Sequence, residues 1–213
     1  MASEFPRRPK TVKGALMSLR PDSGEIRIDP GTPALVFQYN PETLSHTFSS
    51  PNAEEESQKE GNSDASSILE LISLTVEFDA ADQLEHADQN CAIVEHGLHP
   101  TLAVLETIMH SQSKSVNKTS PILVFLFGHN RTVPVWLENL KVVEQAFDPN
   151  LNPIRTSVEL VMRVRCLSEF KKGSIGQAIC KGYLNQRQAL SKLYPQNGNI
   201  GKLFDQVNRS IHH

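Results

Sequence analysis

The chain is poor in the residues that carry most protein chemistry. It holds 3 cysteines in 213 residues, Cys91, Cys166 and Cys180. That odd number, at those spacings, fits neither a disulfide framework nor a zinc knuckle, and it suits a reducing compartment. Aromatic residues make up 6%, with a single Trp. The net charge of -3 offers no basic excess, so a nucleic-acid backbone is not expected as a partner. There is no apolar run of the roughly 18 residues that a membrane-crossing helix needs. Residues Met1–Lys10 mix charges and prolines without the apolar core of a secretion signal. Cytoplasmic assembly without membrane insertion is therefore expected.

Catalytic signatures are missing too. There is no Gly-x-Ser-x-Gly elbow, and Gly173-Ser174-Ile175-Gly176 lacks the Gly-Lys-Ser/Thr ending of a phosphate loop. Asp79, Asp82, Glu85 and Asp88 lack the glycine and spacing of a calcium loop. Among the 8 histidines, His96 and His99 follow Glu95 in the order Glu-His-x-x-His. A zinc-protease helix needs His-Glu-x-x-His, so that both imidazoles face the metal and the Glu reaches the bound water. Gly97 and Pro100 make this stretch a polar helix start instead. Cys166 falls on the apolar face of its segment and reads as a small buried side chain. No catalytic residue, cofactor or metal is expected, and the chain reads as a non-enzyme.

What the sequence has is alternation. In Ile154–Cys166, residues Ile154, Thr156, Val158, Leu160, Met162, Val164 and Cys166 share one face, and Arg155, Ser157, Glu159, Arg163 and Arg165 share the other, interrupted by Val161. A period of two is what a strand with one buried and one wet face requires. This segment follows Thr132–Phe147 across the turn Asp148–Pro153, which predicts a long amphipathic hairpin. Leu69–Phe78 alternates in the same way. Ile122–Phe127 is a continuous apolar run, expected to be the most buried strand, and a tight loop at Gly128–Arg131 leads on from it. Lys13–Leu19, Ala34–Tyr39 and Leu44–Phe48 read as shorter strands around turn residues such as Asn40 and Pro41.

Two stretches change period. Leu98, Leu102, Leu105, Ile108 and Met109 make one helical stripe, and Ser174–Leu193 carries apolar residues at helical spacing, with a last short helix expected at Ile200–Ile211. Asp79–Gln89 reads as a polar connection. Ser49–Ser67 has no apolar side chain larger than Ala and reads as a mobile loop. The expected organisation is a flexible lead over 1–11, a β domain over 12–168 and a helical extension over 169–213. The predicted fold is mainly β with α, an antiparallel sheet or barrel flanked by one helix, with a helical tail packed on the domain or on a neighbouring copy.

Taken in order, these segments resemble the tube-type proteins of contractile injection systems and contractile phage tails, above all the tube-initiator or baseplate-adaptor class. The carrying residues are Phe37-Gln38-Tyr39-Asn40-Pro41 with Leu44, Leu74–Asp79, Pro121–Gly128, and Val142–Arg155 with the strand to Val164. The resemblance covers roughly residues 12–168. It implies a tail-tube-type β-barrel, or two packed antiparallel sheets, in a six-membered homo-oligomeric ring. That ring would link the spike-bearing baseplate hub to the inner tube protein and template tube assembly, with sheath or baseplate wedge as further contacts. Asn40, Pro41, Asp148, Pro153 and Arg155 are then the expected turn and assembly residues, and Glu159, Arg163 and Arg165 the expected lumen-facing ones. Members of the class that carry a LysM module have it at the C-terminus. The tail after Cys166 reads as helical rather than βααβ, so peptidoglycan binding is not carried over. The alternatives are a bulk inner-tube subunit and a monomeric ligand-binding β-barrel.

Overall fold

A computed structural model describes residues 11–19, 34–50, 68–85, 90–113 and 121–194. The lead over residues 1–10, nearly all of the expected loop at 49–67 and the expected helix at Ile200–Ile211 lie outside the described residues.

The chain is mainly β. Its strands are β1 (Ala15–Leu19), β2 (Ala34–Val36), β3 (Leu44–Ser49), β4 (Leu69–Asp79), β5 (Ile122–Leu126), β6 (Thr132–Phe147) and β7 (Pro153–Val164). They form one seven-stranded sheet in the order β2-β1-β5-β6-β7-β4-β3. Every pairing is antiparallel. The helices are α1 (Ala81–Leu84), α2 (Cys91–His96), α3 (His99–Ser113) and α4 (Ile175–Lys192).

The alternation dictates the faces. Ile72, Leu74, Val76 and Phe78 of β4, Val158, Leu160 and Met162 of β7, and Val133, Val135 and Leu137 of β6 are all buried in one core. Leu98, Leu102, Leu105 and Ile108 of the α3 region close over it. Each such side chain contributes about 1.5–3 kcal/mol by leaving water. β5 is buried on both faces, as its unbroken apolar run requires. Leu123 and Phe125 point into the main core, while Ile122 and Val124 join Leu19 in a second cluster under Phe170, Ile175 and Ile179. The tail helix α4 therefore packs on its own domain.

The ends of the sheet are drawn together by one amide. Gln38, just beyond β2, donates from Nε2 to the carbonyl of Asp79 (2.6 Å) and accepts from the Asp79 amide (2.9 Å). β2 and β4 sit at the first and sixth positions of the sheet order, so the Gln38 side chain acts as an extra rung between them.

Three local expectations are corrected. β2 stops at Val36 instead of Tyr39, because after Phe37 bonds to the Gly14 carbonyl the chain turns and commits Gln38 to Asp79. The connection after Asp79 contains α1, started by Asp79 Oδ1 accepting from the Ala81 amide (2.8 Å). Cys166 is half-buried and lies beyond β7, at the cap of a short 3-10 turn, Leu167–Glu169. Its amide and thiol both donate to Glu169 Oε1 (3.0 and 3.1 Å).

Candidate assembly surface

The elements named by the sequence pattern converge on one corner of the sheet. Asp79 ends β4 and Arg155 begins the exposed series of β7, directly opposite it in the register. Arg155 donates to Asp79 Oδ2 from Nε (2.8 Å) and Nη2 (2.7 Å). The Ala81 amide bond lowers the Asp79 pKa, burial opposes it, and the Arg155 contact lowers it further. Asn40 performs a similar task for β1: its Oδ1 accepts from the Gly14 amide and its Nδ2 donates to the Val12 carbonyl, both at 2.9 Å. Pro41, half-buried, follows it at the turn into β3.

The β6–β7 turn is built around Asp148. Its Oδ1 accepts from the amides of Asn150 and Asn152 (both 2.8 Å), and its Oδ2 accepts from Asn152 Nδ2 (2.9 Å). The Asn152 side-chain bond is the main cause holding the Asp148 carboxyl below its usual range. The turn docks on the corner between α2 and α3. Asn152 Nδ2 reaches the Glu95 carbonyl at 3.2 Å, and the Leu98 amide donates to the buried Pro153 carbonyl at 2.8 Å. Gly97 makes this approach possible: its φ is +56°, and an added Cβ would lie 2.5 Å from the Pro153 oxygen. His96 therefore ends one helix and His99 begins another, with a left-handed glycine between them.

Among the expected turn and assembly residues, Asn40, Asp148, Pro153 and Arg155 thus each tie two segments together. Glu159 and Arg163 share the non-core face of β7, and Arg165 lies one residue beyond its end. Glu159 is exposed and pairs with Lys141 (3.6 Å). Arg163 bonds Glu138 (3.1 Å) and Glu169 (2.9 Å), and Arg165 bonds Glu169 (3.2 Å) while lying over the rings of Phe170 and Trp136. Burial pushes the Glu169 carboxyl up, but the bonds from Arg163 and Cys166 dominate and bring it to about 2.

Two features escaped the sequence. The first is a polar cluster on the core side of β4. Glu70 is 9% exposed. It accepts from Arg187 Nη1 (2.8 Å) and Tyr183 Oη, and meets His46 Nε2 at 2.7 Å. Burial, then the bond to Glu70, raises the Tyr183 pKa well above its usual value. The signal was a Glu at the parity of Ile72, Leu74, Val76 and Phe78. The second is an open strand edge. β5 pairs with β6 only through Thr132–Val135, whereas β7 follows β6 to Phe147. Past Val135, no strand among the described residues lies on the other side of β6. The Leu137 amide is taken by Oε1 of the buried Gln112 (2.9 Å).

Among the described residues no group of three or more His, Cys, Asp or Glu is arranged to hold a metal ion, and no helix is long and apolar enough to cross a membrane. Comparison with known protein-family models and with curated proteins finds no match.

Proposed function

We propose that this chain is a structural subunit that assembles with copies of itself edge to edge, forming the ring that joins the hub of a contractile injection system to its inner tube. The open edge of β6 beyond Val135 carries this reading. Its backbone donors and acceptors face away from β7, and a strand edge left this way is a template for another chain. The exposed stretch of β7 around Glu159 suits the water-filled side of such a ring, whereas Arg163 and Arg165 are turned into ion pairs with Glu169 and their side chains are only 27% and 12% exposed. The resemblance supplies the six-fold count and the neighbours, namely the inner tube protein and the baseplate hub. Convergence of the Gln38, Asn40, Asp79 and Arg155 segments supports treating that pattern as one structural unit.

Native mass spectrometry of the purified chain tests the ring: six copies are expected, and a monomer at all concentrations rejects it. Electron microscopy of assembled particles tests the place. Absence of the chain from the tube–baseplate junction removes the adaptor role.

A further inference from the structure

We infer that Cys166 and Cys180 form an oxidisable pair, a modification site at which a small-molecule disulfide turns two thiols into a bond that fastens α4 to the end of β7. Cys180 is 3% exposed on the buried face of α4, and its thiol donates to the Arg165 carbonyl at 3.7 Å. The Cα of Cys166 lies one peptide unit beyond that oxygen, about 3 Å away. The Cys180 sulfur is therefore within about 7 Å of that Cα. Turning the Cys166 side chain from Glu169 toward α4 brings the two sulfurs together without a large shift of backbone. Both sides are held in place. The Arg165 amide bonds the Pro134 carbonyl (2.9 Å), and its guanidinium bonds Glu169 over the Phe170 ring. Gly176 has no room for a Cβ against that same ring, which seats α4 one turn before Cys180.

The two thiols differ in access. Cys166 is half-buried at the cap of the 3-10 turn, and Cys180 is closed off. Burial, then the bond to Glu169, raises the Cys166 pKa; burial, then the nearness of Cys166, raises that of Cys180. Both therefore rest as thiols while the surroundings are reducing. Cys166 reacts first. Its sulfur, having given its proton to water, attacks one sulfur of the small disulfide, whose S–S bond breaks; one small thiolate leaves and takes up a proton. Cys180, deprotonated in the same way, attacks the Cys166 sulfur and expels the second small thiolate. The pair loses two electrons and two protons, and the small disulfide gains both as two thiols. Glu169 gives up only the Cys166 thiol, since Arg163, Arg165 and the Cys166 amide also bond it. The new bond adds to the hold of Glu70 on Tyr183 and Arg187, so α4 stays on the domain until the disulfide is reduced.

The test uses the full chain carrying Cys91→Ser, so that only the pair remains, incubated with oxidised glutathione in native buffer. The expected result is loss of both free thiols, an intact mass lower by two hydrogens with no glutathione retained, and a non-reduced peptide map that joins Cys166 to Cys180. Closing a loop of about 15 residues is expected to raise the melting temperature by about 6–12 °C, and dithiothreitol is expected to reverse the rise. Cys180→Ala in the same background is expected to stop at one glutathione on Cys166, without that rise. The parent chain, mapped in the same way, reads the bond independently of both substitutions. Glutathione retained on the two-cysteine chain, bonds only between copies, thiols that react only in denaturant, or a melting temperature that falls on oxidation each overturn the pair.

Discussion

Arg155 lays two of its nitrogens on a single carboxylate oxygen of Asp79, across 76 residues of sequence. The same Asp79 starts α1 with its other oxygen and takes the Gln38 amide on its backbone. One residue therefore ties β4, β7, the first helix and the chain just past β2. The ion pair is the weakest of these ties, because the Arg155 side chain is 58% exposed.

A double-mutant cycle should show this ranking. Removing Arg155 (R155A) is expected to cost about 0.5–1 kcal/mol in denaturant unfolding. Asp79→Ala is expected to cost about 1–2 kcal/mol more, because the Ala81 amide loses its cap. Equal costs for the two variants would show that Asp79 does nothing beyond the ion pair.

Acid should weaken the end of β7 where Glu169 gathers Arg163, Arg165 and the Cys166 amide. The folded carboxyl titrates at about 2, below its ordinary 4.5. Its stabilisation is therefore present above pH 4.5 and is lost as pH falls toward 2. Solvent screening reduces the effect to about 1–2 kcal/mol. In Glu169→Gln, unfolding free energy measured between these limits should fall less steeply with acid than in the parent chain.

Thr156 is fully buried, and its hydroxyl has no hydrogen-bond partner. An unsatisfied buried hydroxyl costs about 1–3 kcal/mol. Thr156→Val keeps the branched shape and removes the polar atom, so it is expected to raise stability by about 1 kcal/mol. A loss of stability on urea unfolding would mean that the hydroxyl does have a partner.

Glu70 is the anchor of α4. Glu70→Ala leaves Arg187 and Tyr183 without their acceptor and is expected to cost about 2–3 kcal/mol. Hydrogen exchange should quicken in α4 while the β6–β7 ladder stays protected. Uniform quickening across both would contradict an anchor confined to the helix.

The strands and the long helices were legible because burial on one face imposes a period, and periods are visible in a single sequence. β4, β7 and the Leu98–Ile108 stripe follow directly from that rule. The pattern ran too far at Cys166, where the alternation continues but Glu169 captures the amide and ends the strand. It also missed α1, which one carboxylate oxygen of Asp79 nucleates in a polar stretch. Asp148 was legible as a turn residue because its bonds to Asn150 and Asn152 are local; Asn40 was legible from the Asn-Pro pair, but its bonds to Gly14 and Val12, 26 and 28 residues away, were not. The Glu70 cluster was not, since His46, Tyr183 and Arg187 reach it from two other elements and only the misplaced Glu showed on β4.

Gln112 settles how a neighbouring strand would have to align. Its carboxamide oxygen already occupies the Leu137 amide, and the register of β6 against β7 shifts between Leu137 and Asn139. A strand added to this edge meets a stop at that point, like the end-piece of a zipper, and can close only along the stretch from Asn139 toward Phe147. In the proposed ring, the offset between adjoining molecules would then be set by a helix side chain that lies 25 residues earlier in the sequence.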